Sequence, residues 1–210
     1  MLKKKSFKSS LKFSLKKGMR KLGPTGFPFE KYVGAVFSEL GYEVQLNRNL
    51  KGFCCTYETD FIAKKGNLVY IGECKYRNSP GDKIHTDTAL ATHAGFLDIQ
   101  KGDLFKGKDL RSLLVTNTKF TRRAAKYSKC VGDEILGWRY PKGKGLEKII
   151  EENKLYPITI LPSLNKNLAE IFVSQKIMLA RDLFRKDVDV KKGVFEKLKK
   201  EAEILIKDVN

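Results

Sequence analysis

Histidine occurs only twice and tryptophan once in this 210-residue chain, and the four cysteines (54, 55, 74 and 130) contain no C-x-x-C pair. Adjacent cysteines rarely ligate one zinc together, so a zinc site is not expected. Four cysteines are also too few for a disulfide scaffold, and a reducing, cytoplasmic setting accounts for them most simply. No stretch approaches 18 uncharged apolar residues, which excludes a transmembrane helix. The N-terminus lacks the continuous apolar segment of a secretory signal. Internal repeats are absent, and so is any carboxylate before Glu30.

Positive charge is what the chain has in excess. Forty-two Lys and Arg face 24 Asp and Glu, a formal net charge of +18. Nine of these charges lie in residues 1–22, which hold Lys3, Lys4, Lys5, Lys8, Lys12, Lys16, Lys17, Arg20 and Lys21 and no acid. The remaining nine are spread over residues 23–210. Such an excess points to a polyanionic partner, either nucleic acid or an anionic membrane surface. Leu11, Leu15, Met19 and Leu22 follow helical spacing. The tail therefore reads as a phosphate-gripping arm, a helix packed on the main domain, or a membrane-surface helix.

At 41% hydrophobic residues the chain can bury a core. Gly23-Pro24-Thr25-Gly26 reads as a linker, and Phe27 to Leu40 as a helix closed by Gly41. Strands are expected at 42–46, 61–63, 68–75, 113–116 and 134–138, with a turn over Lys64–Asn67, and helices at 83–100, 121–129 and 146–152. Residues 68–75 are apolar on both faces, as in a central strand covered on two sides. This alternation predicts an α/β or mixed α+β layered domain. Pro157 and Pro162 mark a change of composition, followed by helical patterns at 165–175, 179–186 and 193–207. The expected organisation is a basic tail (1–26), a central domain (27–162) and a helical C-terminal appendage (163–210).

The most informative stretch joins Asp60 to Glu73-Cys74-Lys75. Alternation along a strand puts Glu73 and Lys75 on one face and Cys74 on the other. A carboxylate and an ammonium on an otherwise apolar strand are costly unless paired or ligating a metal. An antiparallel hairpin through Lys64–Asn67 would bring Asp60 close to them. Two converging carboxylates suit Mg²⁺, which takes hard oxygen ligands, and a nearby lysine suits activation of a bound water. A structural ion pair at a sheet edge satisfies the same spacing. Potential phosphate contacts surround the acids, with Lys75, Arg77 and Lys83 close in sequence.

Asp60 followed by Glu73-x-Lys75, after an opening helix, resembles the core of the PD-(D/E)xK nucleases. More narrowly, the chain is similar to Mrr-type restriction endonuclease-like proteins. Phe29-Glu30-Lys31-Tyr32-Val33, Gly41-Tyr42-Glu43-Val44, Glu58-Thr59-Asp60, Gly72-Glu73-Cys74-Lys75-Tyr76 and Leu114 to Thr121 carry the likeness, over about residues 27–160. It implies a restriction-endonuclease-like core, a central mixed sheet flanked by helices. It also implies that Asp60 and Glu73 bind Mg²⁺ (Mn²⁺ substituting), that Lys75 assists the attacking water, and that Glu30 supports the site. Thr59 stands where the family name has proline. Phe13 to Gly26 looks like the closing helix of an ATP-cone domain. Only a dozen residues precede Phe13, so no cone and no ATP regulation are expected.

Other residues have a functional and a structural reading each. Glu30 is a supporting ligand or a first-turn carboxylate favoured by the helix dipole. Glu58 shares the face of Asp60, or is a solvated edge residue. His85 and His93 approach a phosphate or play ordinary structural roles. Asn117, Thr118, Lys119 and Thr121 hold a phosphate or cap a helix. Trp138 and Tyr140 stack on a base or pack in the core. Ile177 to Leu183 faintly resembles a helix-hairpin-helix element without its glycine hairpin.

The resulting expectation is a Mg²⁺-dependent endonuclease acting on DNA, with Asp60, Glu73 and Lys75 catalytic and with Arg77, Lys83 and Lys119 on the nucleic acid. Membrane is not an expected partner, and double-strand cleavage by a single active site calls for a homodimer. The alternatives are a non-catalytic DNA-binding protein of nuclease-like fold and a membrane-surface or partner-binding adaptor.

Overall fold

The computed structural model describes residues 15–22, 28–186 and 188–207. The lysines up to Lys12 lie outside the described residues, as do Phe13, Ser14 and the Gly23–Gly26 linker of the ATP-cone-like segment. The chain divides into two compact units, one formed by Val33–Ile149 and the other by Met1–Tyr32 with Ile150–Asn210. These divisions differ from those expected at 26/27 and 162/163.

The central unit is a five-stranded mixed sheet in the order β1-β2-β3-β5-β7. β1 (Glu43–Lys51), β2 (Thr56–Lys65) and β3 (Leu68–Lys75) run antiparallel in succession. β5 (Asp109–Thr116) pairs parallel with β3, and β7 (Glu134–Leu136) parallel with β5. Between β3 and β5 the chain crosses over through α3 (Thr86–Lys101), and between β5 and β7 through α4 (Arg122–Val131).

β3 follows the expected bounds because both of its faces are covered. On one face Val69 and Ile71 join Leu50 and Ile62 in a core closed by Phe96 and Ile99 of α3. On the other, Phe37 of α2 (Phe29–Glu39) packs against Phe61 and Tyr70. β1 and β2 extend well beyond the short segments expected from apolar alternation. Their extra residues are held by ladder pairing, from Arg48↔Thr59 to Lys51↔Thr56, which needs no apolar side chains. Lys65 pairs with Leu68, so the turn is two residues, and Gly66 supplies its positive φ of 60°. The helix expected from 83 begins at Thr86. Lys83–Ile84 instead forms β4, pairing parallel with β6 (Lys119–Phe120), and Ile84 is buried with Leu114 and Ile135.

In the terminal unit, residues 15–20 are helical (α1), and Leu15, Met19 and Leu22 are buried. Of the three readings of the tail, these residues take the packed one. The Thr159 hydroxyl donates to the Gly18 carbonyl at 2.8 Å. A Cβ at Gly18 would lie 2.9 Å from the Ile160 backbone, so only glycine allows this approach. α5 (Leu146–Asn153), α6 (Lys166–Ser174) and α7 (Lys192–Lys207) follow, with 3₁₀ turns at Ile158–Ile160 and Ala180–Phe184. The expected helix at 179–186 is only such a turn. Its N-terminus is tied by the Asp182 carboxylate, which accepts from the N–H groups of Met178 and Leu179. Ile177 to Ala180 are buried, so this stretch presents no DNA-binding hairpin.

Candidate active site

Pairing between β2 and β3 ends at Phe61↔Gly72. Gly72 is required there, because a Cβ would lie 2.2 Å from the Phe61 ring. Beyond that pair Asp60 and Glu73 are the next residues along the two strands. The Asp60 carboxylate accepts the Cys74 N–H at 2.6 Å, so a side chain takes over where the ladder stops. Glu73 and Lys75, on the same face, form an ion pair, with side chains 27% and 37% exposed.

Burial pushes the Glu73 carboxyl above its ordinary value. The Lys75 hydrogen bond and charge oppose this shift, while the negative charges of Asp60 and Glu58 reinforce it. Three acids and one lysine therefore share one end of the sheet.

From there a cleft of about 520 Å³ opens between the sheet and α3. Glu58, Glu73 and Lys75 line it on the sheet side, and Asp87, Thr88 and Thr92 on the helix side. Its far end is braced by Asp98 of α3, whose carboxylate accepts from Cys54 N–H at 2.9 and 3.0 Å and from Cys55 N–H at 3.0 Å. This fixes the β1–β2 turn, and with it Tyr57, against the helix.

Past Lys75 the side chain of Asn117 extends the sheet. Its Oδ1 accepts Arg77 N–H and its Nδ2 donates to the Arg77 carbonyl, both at 2.8 Å. The Thr116 hydroxyl donates to the Lys75 carbonyl at 2.6 Å. The lysines at 83 and 119 are direct partners across β4 and β6, and both are exposed. Two ammonium groups are thus held side by side, an arrangement suited to a phosphate.

The remaining candidates have the following surroundings. Glu30 is a half-buried carboxylate in the first turn of α2, within the terminal unit. Thr121 caps α4, accepting Ala124 N–H at 3.1 Å. His93 lies 3.1 Å from Asp133 and edge-on to Tyr127, bridging α3 and α4, while His85 is exposed at the start of α3. Trp138 is buried, and Tyr140 packs against Phe120. None of the cysteines at 54, 55, 74 and 130 is in a disulfide. Sequence reasoning missed Tyr57, Asp87, Thr92, Asp98 and Ser112. Ser112 alone leaves a trace, a small polar residue directly before the apolar run Leu113-Leu114-Val115 of β5.

Fold and site together define a mixed α/β protein with an acid–acid–lysine cleft at one end of its sheet. A family model described as AF1548-like, C-terminal, matches residues 156–206. An uncharacterized protein of Archaeoglobus fulgidus is 35% identical over 150 residues, covering 70% of this chain and 81% of that protein. The crystal structure of a protein of unknown function, AF1548, superposes with a TM-score of 0.72 at 31% identity. That match covers 84% of this chain and 96% of the solved one. The chain belongs to the AF1548-like family.

Proposed function

We propose that this protein is a Mg²⁺-dependent endonuclease that hydrolyses phosphodiester bonds in DNA. The observation that carries the reading is the meeting of Asp60, Glu73 and Lys75 where the β2–β3 ladder ends. The resemblance of these residues to the PD-(D/E)xK motif supports it.

The donor set fits a hard divalent cation, since both acids offer carboxylate oxygens. Crowding of Asp60 and Glu58 around a buried Glu73 raises its proton affinity, and a cation between the acids would relieve this repulsion. Asp60 and Glu73 would hold the metal, which when bound lowers the pKa of water and withdraws charge from the phosphate. Cys74 N–H fixes one oxygen of Asp60 and so orients the carboxylate. Lys75 positions the attacking water and steadies the phosphate. The water oxygen would bond to phosphorus as the P–O bond to the leaving strand breaks, with one proton passing from the water to solvent and one from solvent to the leaving oxygen. Arg77, Lys83 and Lys119 hold flanking phosphates. The charge excess of the chain supplies affinity that does not depend on sequence.

Plasmid DNA incubated with the protein and Mg²⁺ or Mn²⁺ should be nicked or linearised, and Glu73→Ala and Lys75→Ala should abolish this. Equal cleavage by all three proteins would sink the assignment.

A second reading, supported by the charge excess of +18, is a DNA-binding protein that keeps the fold without the chemistry. This reading expects salt-sensitive DNA binding, unchanged by Glu73→Ala, with no cleavage in either metal. For membrane partners the structure offers only that no helix among the described residues is long and apolar enough to cross a bilayer.

A further inference from the structure

Ser112 lies on β5 directly beside Ile71 of β3, two residues before Glu73 on the strand. It is 1% exposed and lines the cleft, and its hydroxyl has no hydrogen-bond partner among the described residues. A buried hydroxyl left unpaired costs stability, and folded proteins retain few of them. The cleft ends on an apolar floor, where Ile71 of the sheet meets Phe96 and Ile99 of α3, and Ala91 and Gly95 line its helix side. Gly95 lets the Tyr57 ring lie close against α3, since a Cβ there would come to 3.3 Å from it. Thr88 and Thr92 add polar groups on the helix side.

We propose that this cleft takes a nucleobase, drawn out of its stack, from a nucleotide next to the scissile phosphate. The inference rests on the nucleic-acid reading of the same site. A base presents apolar surface to this floor and to the α3 side, and a hydrogen-bonding edge to Ser112, whose hydroxyl both donates and accepts. From Glu73 to the level of Ser112 is two strand residues, about 7 Å. One nucleotide spans that distance, with its phosphate at the acids and its base inside. The volume of about 520 Å³ accommodates a nucleoside but not a base pair still stacked in duplex.

The test uses the full chain without divalent metal and oligonucleotides carrying 2-aminopurine. Binding should raise the fluorescence of the probe several-fold as the base leaves its stack. Ser112→Ala should weaken binding of the intact strand by about 2- to 10-fold, the size of one neutral hydrogen bond. It should leave binding of the same strand unchanged when an abasic site replaces the probe. Its melting temperature should equal or exceed that of the wild type, because the unpaired hydroxyl is gone. Unchanged fluorescence, or equal loss on intact and abasic strands, would overturn the proposal. Tight binding of free 2-aminopurine deoxynucleoside monophosphate, with no fluorescence rise on strands, would also overturn it and mark a site for free nucleotides. Cleavage without a fluorescence change removes this inference alone. A fluorescence rise in a protein that never cleaves removes the endonuclease reading alone.

Discussion

The Asp60 carboxylate accepts a hydrogen bond of 2.6 Å from the main-chain N–H of Cys74, at the point where β2 stops pairing with β3. One side chain thus closes the end of a sheet and faces the neighbouring acid Glu73. Structural and chemical demands on Asp60 can be separated by substitution. Asp60→Asn keeps an acceptor for Cys74 N–H and should melt near the wild type, yet under the proposed endonuclease reading lose cleavage by about 10- to 100-fold or more, because the metal loses a charged ligand. Asp60→Ala also leaves the Cys74 N–H unpaired and should cost a further ~1–2 kcal/mol in denaturant titrations.

Glu73 should make the fold less stable as pH rises through its titration. Its folded-state value lies above the ordinary one, so its contribution is full below the unfolded value and is lost as pH climbs through the folded value. Glu73→Gln should therefore raise the melting temperature at neutral pH. The gain should shrink in acid. Thermal melts of both proteins across the acid range check this.

Asn117→Ala should loosen the chain after Lys75. Two hydrogen bonds to Arg77 disappear together, at a cost of ~1–3 kcal/mol. Hydrogen exchange should speed up at residues 76–82 and stay unchanged in β1. Cleavage should fall through weaker substrate binding, seen as a higher KM with little change in kcat.

Gly72→Ala should be severely destabilising, by at least ~1–3 kcal/mol, because the new methyl meets the Phe61 ring within 2.2 Å. Adding Phe61→Leu should recover part of the loss. Equal stability of Gly72→Ala and wild type in urea would contradict this packing of the strand that carries Glu73.

Deleting residues 1–14 removes five lysines and spares the buried Leu15, Met19 and Leu22. The slope of log affinity for duplex DNA against log salt should become shallower by up to ~4.5 if all five meet phosphates. An unchanged slope would take the tail off the DNA.

Much of the sheet was legible because burial wrote it into side chains. β3 was found at its true ends, since both its faces need apolar residues. β1 and β2 were cut short, since pairing between main chains leaves no apolar mark at Arg48, Asn49, Glu58 or Thr59. β4 was read as helix because two residues carry no period, and only its pairing with β6 identifies it. The acid–acid–lysine set was readable from spacing, for a short turn between two strands fixes which residues meet. Ser112, Tyr57 and Asp98 were not, because what matters about each is a neighbour far away in the chain.

The sequence by itself determined the charge excess, the alternation of strands and helices, and the approach of Asp60 to Glu73. The first is composition, and the other two rest on local periodicity and short loops. Tertiary structure alone decided that residues 15–22 pack beside Ile160, that Asn117 prolongs β3, and that α3 leaves a cleft over Ser112. Each depends on segments tens of residues apart meeting at ångström precision, where shape and hydrogen-bond geometry count and composition does not.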